Sequence, residues 1–352
     1  MKNFRFLKPG DTIGITAPSF GATIEPYRTR FFEAVRLLEE RGYKIIKGET
    51  CFLSDGIGIS SKPERCAKEL EDFYCSPAVD AIISCGGGEM MCRTVSEIDF
   101  EKIKNAPPKL FMGYSDNTNF IHPLVTKCHV PAVYGPCISG LGKPWEEAEL
   151  QTINLIEGKC LKVSGFDMFQ NPDDGTEAKE ENPLSPYILT QKKELKSFYH
   201  GSFALPETEL NAEGVLLGGC LDILMTIAGT KLEQTNDFIK LMQNENKKII
   251  WVLEACDLGI MDIQRSLWKL DECGWFKNTS IFLFGRPLNA FNAEAFGLNR
   301  FTAVTEMLKK YDIPVVMDCD IGHIAPMMPL IMGSNALVKV KENDISIEMK
   351  ML

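Results

Sequence analysis

At 352 residues the chain exceeds what a single hydrophobic core usually serves, so two domains are expected. Its 45% hydrophobic and 24% charged residues are ordinary for a water-soluble globular protein, which excludes fibrous and low-complexity classes. A formal net charge of -10 argues against a nucleic-acid partner, which would need a basic face to displace counterions.

The opening "MKNFRFLKPGDTIG" holds no apolar segment of signal-peptide length, and no later run approaches membrane-spanning length. No membrane partner and a cytoplasmic location are therefore expected. "DTIGITAP" reads as a strand. "PYRTRFFEAVRLLEERG" then carries apolar residues at helical spacing and stops at Gly42. "YKIIKG" is the next strand, "KPERCAKELEDFYC" a helix, and "AVDAIISCGGG" a strand entering a glycine turn. A short helix from about Glu89, the strand "KLFMG", a helix after Ser115 and "PAVYGPC" complete the first unit. Such alternation predicts a parallel sheet covered on both faces, with ligands beyond the carboxyl ends of its strands. From Phe166 to Leu205 the pattern dissolves into a polar stretch, which at that length reads as a functional loop or linker. A second unit begins near Gly214 with "GVLLGG", "KKIIWVLEA", "TSIFLFGRP" and "IPVVMDCD", and closes on a hairpin-like "NALVKVKENDISIEMK". The expected division is 1–165, a connecting and substrate loop over 166–208, and 209–352.

Several short stretches carry chemistry. In "KLFMGYSDNTNF" a strand stops at Gly113 and presents Ser115, as in a strand-to-helix nucleophile elbow, although Asn117 stands where the second glycine would be. The plain alternative is that Ser115 or Asp116 caps the following helix. The "SCGGGEM" turn has neither the lysine of a phosphate loop nor a dinucleotide glycine pattern. It suits oxyanion donation or a tight turn equally. Glu254 ends a run too apolar to solvate it, so it needs a partner or its pKa rises. His323 follows a strand on a loop. Asp318 and Asp320 lie near it in sequence, but no second histidine has ligand spacing, so no metal is expected. His122 and His129 read as structural. The twelve cysteines form no Cys-x-x-Cys pair and sit mostly in apolar runs, as reduced thiols do. Cys137 in "VYGPCISG" is a rival nucleophile that would pair with His323.

Taken in order, Ser115, Glu254 and His323 resemble the serine–glutamate–histidine arrangement of the LD-carboxypeptidase family of serine peptidases. The nearer resemblance is to its microcin C immunity-like branch. The likeness runs through "KPGDTIGITAPS", "GGGEMMCRTVSEIDFEKI", "PKLFMGYSDNTN", "GVLLGGCLDILMTIAGT", "WVLEA" and "GHIAPMMPLIMGSNA". It implies Ser115 as nucleophile, His323 as general base and Glu254 as its orienting carboxylate. The backbone N–H groups of Asp116 and of Gly87 or Gly88 would form the oxyanion hole. It implies a flavodoxin-like parallel-sheet N-terminal domain and a smaller C-terminal α/β domain of swivelling type, with the active site at their interface. No cofactor is implied, and a homodimer is. The implied substrate is a small peptide or a peptidyl or aminoacyl nucleotide cut near its carboxyl end, as in detoxification of microcin. The alternative is a muramoyl tetrapeptide losing D-alanine in murein recycling; a cysteine amidohydrolase or a non-catalytic binding protein stands behind both. Glu89–Met90 and Cys220 depart from the commoner family residues, and Cys220 favours the immunity-like branch. For substrate contacts, Arg93 and Arg286 are the candidates for a carboxylate, and Phe198 and Tyr199 for stacking.

Overall fold

A computed structural model describes residues 1–56, 58–172, 181–204 and 209–352. Five strands, β1 (Thr12–Thr16), β2 (Lys44–Lys47), β3 (Ala81–Ser84), β4 (Leu110–Gly113) and β5 (Ala132–Tyr134), form a parallel sheet in the order 2-1-3-4-5. That is the flavodoxin-like order, as the resemblance implied. The strands β3, β4 and β5 are buried at every residue, which is why they read as unbroken apolar runs rather than alternating ones. The helix Tyr27–Glu40 buries Phe31, Ala34, Val35 and Leu38, one stripe at helical spacing. The chain then turns at Gly42, which has a φ of 95°, and its carbonyl accepts the N–H of Gly10 at 2.8 Å.

Among the described residues the second sheet has nine strands. Leu210–Cys220, Ile249–Glu254, Thr279–Gly285 and Val315–Cys319 run parallel at its centre. The closing hairpin, Asn335–Lys341 with Asp344–Lys350, lies antiparallel beside Leu210–Cys220.

Two strands cross the division drawn from the sequence. Lys162–Ser164 joins the second sheet beside Asp344–Lys350, and Leu330–Met332 joins the first beside β5. Both are short edge strands, and the free edge a short strand pairs with is a matter of three-dimensional neighbours, with no local signal. Part of the stretch read as a loop is also strand. Lys196–Tyr199 and Ser202–Ala204 form a hairpin against Val315–Cys319. Within 166–208, residues 173–180 and 205–208 lie outside the described residues. Among the described residues no helix is long and apolar enough to cross a membrane.

The carboxyl ends of β3 and β4 carry the glycine turn and Ser115. The carboxyl ends of Leu210–Cys220, Ile249–Glu254 and Val315–Cys319 carry Cys220, Glu254 and the His323 loop. These ends meet: the Cys220 N–H donates to Thr118 Oγ1 at 3.0 Å across the two sheets.

Candidate active site

Ser115 follows Gly113 and an extended Tyr114, and has a φ of 61°, the left-handed region that a serine seldom enters. A short 3-10 turn, Ser115–Asn117, then leads into the helix Thr118–Thr126. Neither Ser115 nor Asp116 caps that helix with its side chain. Asn117, in the position of the absent glycine, holds the turn: its Nδ2 donates to Gly86 O at 2.9 Å and Tyr114 O at 3.0 Å. The Asp116 carboxylate turns inward, accepting from Ser19 Oγ at 2.5 Å, from the Met91 N–H at 2.9 Å and from Asn119 Nδ2 at 2.8 Å. It thereby ties the serine turn to the residues just beyond the glycine turn.

The hydroxyl of Ser115 lies 2.8 Å from His323 Nε2, and His323 Nδ1 lies 2.7 Å from Glu254 Oε2. Glu254 is fully buried, and its other oxygen accepts from the Tyr134 hydroxyl at 2.5 Å. The same hydroxyl oxygen accepts the Ser115 N–H at 3.2 Å, so one phenol braces both the serine backbone and the carboxylate. Burial pushes the Glu254 carboxyl up, but the His323 charge and the hydrogen bonds from His323, Tyr134 and Cys220 hold it below its ordinary range. Burial pulls His323 down, yet the Glu254 charge and hydrogen bonds with Cys256 and Glu254 outweigh it and hold the imidazolium well above its ordinary range. Gly322 and Gly285 make room for this pair. A Cβ at Gly322 would sit 2.5 Å from Glu254 Oε2, and one at Gly285 would sit 3.0 Å from Glu254 Cβ.

Gly87 backs onto the serine, since a Cβ built on it would stand 3.3 Å from Ser115 Cβ and 3.4 Å from Oγ. Gly88 points elsewhere: its Cβ would meet Ser19 Oγ and the Phe20 ring. Among the described residues the N–H groups of Gly87 and Asp116 donate to no protein acceptor.

A cavity of about 390 Å³ opens from this centre and is lined by Tyr27, Arg30, Gly87, Tyr114, Tyr187 and His323, among others. The four residues expected at the substrate, Arg93, Arg286, Phe198 and Tyr199, lie away from its lining. Arg93 is exposed on the short helix Met91–Val95. Phe198 is buried against Phe203 in the edge hairpin, and Tyr199 is exposed and stacked on His200. The rings that do reach the cavity, Tyr27, Tyr114 and Tyr187, were not singled out by sequence, because a tyrosine in "PYRTRF" or "SPYILT" has no local mark of a site. Tyr134 was missed for the same reason, reading only as the apolar end of a strand.

The remaining candidates find structural partners. Arg286 is buried and paired with Asp320 at 2.7 Å, with its guanidinium 4.0 Å from the centre of the Phe169 ring. Asp318 pairs with Arg300 at 2.9 Å. Cys137 lines the cavity, but burial pushes its thiol up to about 12, and its sulfur takes an amide hydrogen from Asn117 rather than meeting His323. His122 is buried, stacked on Trp275 and 2.8 Å from Thr235 Oγ1, and burial lowers it to about 3. His129 stacks on Phe238.

Residues 13–135 match the LD-carboxypeptidase N-terminal domain, and residues 213–338 match the LD-carboxypeptidase C-terminal domain. The chain is 26% identical over 346 residues to the microcin C7 self-immunity protein MccF of Escherichia coli, covering 97% of this chain and 94% of that protein. It is 24% identical over 347 residues to a probable murein peptide carboxypeptidase of Bacillus subtilis, covering 97% and 93%. A solved structure of the microcin C7 self-immunity protein in complex with aspartyl sulfamoyl adenosine superposes with a TM-score of 0.79 at 22% identity, covering 99% of each chain.

Proposed function

This chain belongs to the LD-carboxypeptidase family of serine peptidases, and from that premise we propose that Ser115, His323 and Glu254 cleave an amide bond near the carboxyl end of a small substrate. The observation that carries the reading is the unbroken line from Ser115 Oγ through both ring nitrogens of His323 to a buried carboxylate. His323 Nε2 takes the serine proton as Oγ adds to the carbonyl carbon. The oxyanion is received by the N–H groups of Asp116 and Gly87, the glycine that stands against the serine. When the tetrahedral species collapses, the C–N bond breaks and the amine leaves with the proton from His323. Water then gives a proton to His323 as it attacks the acyl ester, and Ser115 is restored with release of the acid. Glu254 keeps the ring oriented and stabilises the imidazolium, and Tyr134 occupies the carboxylate's second oxygen.

The substrate class we favour is an aminoacyl or peptidyl nucleotide of the microcin type. Tyr27 and Tyr187 give the cavity aromatic faces suited to a base, taking the part expected of Phe198 and Tyr199. The second reading, release of D-alanine from a muramoyl tetrapeptide, draws on the murein peptide carboxypeptidase relative. A cytoplasmic setting accords with twelve cysteines that are all free.

The test is hydrolysis of aspartyl sulfamoyl adenosine and of a muramoyl tetrapeptide, followed by mass spectrometry. Ser115→Ala should reduce turnover of the accepted substrate by roughly 10⁴-fold or more while leaving the fold unchanged. Undiminished turnover in that variant would remove the nucleophile.

A further inference from the structure

Among the described residues two arginines are buried, Arg30 at 7% and Arg286 at 1% exposure, and they differ in whether a carboxylate faces them. Arg286 has its carboxylate in Asp320. Arg30, on the helix Tyr27–Glu40, has none. Its Nε donates to the Pro183 carbonyl at 2.5 Å and its Nη2 to the Ser185 carbonyl at 3.2 Å. Among the described residues no carboxylate lies within ion-pair distance of it, and Nη1 has no hydrogen-bond partner. The nearby cation Lys143 is fully buried too, but it is already neutralised by Glu149 at 2.6 Å and lies 3.8 Å from the centre of the Tyr187 ring. Carbonyl acceptors ease the desolvation of a guanidinium without cancelling its charge, and a buried charge is ordinarily paired. Arg30 also lines the cavity that reaches His323, as do Tyr27 and Tyr187.

We infer that Arg30 is the anion anchor of this cavity, receiving an acidic group on the leaving-group side of the scissile amide. The inference rests on the hydrolase reading above and sharpens it. Both substrate classes carry such a group: a terminal carboxylate on D-alanine, and an ionised sulfamoyl or phosphoryl group beside the scissile nitrogen of an aminoacyl nucleotide. A guanidinium with free N–H groups meets the oxygens of either as a fork. The two carbonyl bonds meanwhile hold the 183–185 segment, and through it Tyr187, so that the charge and the ring form one subsite.

The test measures binding in the Ser115→Ala background by calorimetry, which separates it from any failure of turnover. Two ligand pairs are compared: a muramoyl tetrapeptide against its terminal carboxamide, and adenosine monophosphate against adenosine. We expect the charged member of at least one pair to bind about tenfold or more tightly than the neutral one. Arg30→Gln should bring that ratio close to one, and Arg30→Lys should keep part of it. Loss confined to the peptide pair identifies a carboxylate as the anion, and loss confined to the nucleotide pair a phosphoryl group. The inference is overturned if Arg30→Gln weakens charged and neutral members equally, as a purely structural clamp would. It is also overturned if neither pair is discriminated with Arg30 intact, or if discrimination survives its loss.

Discussion

At the scale of single residues, the proposed relay makes His323 the group that sets how activity responds to pH. The imidazole must be neutral to accept the Ser115 proton, and Glu254 holds its pKa above the ordinary value near 6.5. Neutral His323 therefore accumulates only as pH rises through that elevated pKa, and the acid limb of kcat/KM should have its midpoint above 6.5. Glu254→Gln removes the charge that stabilises the imidazolium, which leaves burial to pull the ring down. The acid limb should move to lower pH while the plateau rate falls by roughly 10⁴-fold. A pH profile of both proteins checks this, and an unmoved limb would detach Glu254 from the histidine. Glu254 was legible locally because it ends an apolar run that cannot solvate it, whereas Ser115 read equally as a helix cap and His323 stood on a loop, so those two were singled out by the family resemblance. Tyr134 and Arg30 were not legible, because a tyrosine in a strand and an arginine in an amphipathic helix are ordinary until their partners are known.

At the scale of elements, the site is built from strand ends, and its glycines are set by what approaches them. Gly322 has a φ of 96° and faces Glu254 Oε2 closely enough that no Cβ fits. Gly322→Ala should cost about 1–3 kcal/mol of stability through the strained backbone, and more activity than that loss explains, since relief of the clash must displace Glu254 or His323. Urea denaturation beside steady-state kinetics would show it, and a variant with unchanged kcat would mean the loop absorbs the methyl group elsewhere. The order of strands and helices in the first unit was legible from alternation alone. The edge strands were not: Lys162–Ser164, Ser202–Ala204 and Leu330–Met332 are each too short to display a period.

At the scale of the whole molecule, the chain exchanges strands between its two sheets, Lys162–Ser164 going one way and Leu330–Met332 the other. Ser115 comes from the first sheet and Glu254 from the second, so the proposed relay exists only while both are in place. We expect a single cooperative transition in urea, with far-UV circular dichroism and the fluorescence of the buried Trp251 and Trp275 giving one midpoint. Two separated midpoints would show that the crossed strands do not couple the sheets. By itself the sequence determined the parallel first sheet and marked Glu254 as a carboxylate in need of a partner, because periodicity and the misfit of a polar residue in an apolar run are local properties; the order Ser115, Glu254, His323 drew its meaning from the family resemblance. Only the tertiary structure decided that an imidazole would lie between a hydroxyl from residue 115 and a carboxylate from residue 254, which glycine backs the serine, and which rings and which arginine face the cavity. Those are contacts between segments far apart in the chain, and no window of neighbouring residues contains them.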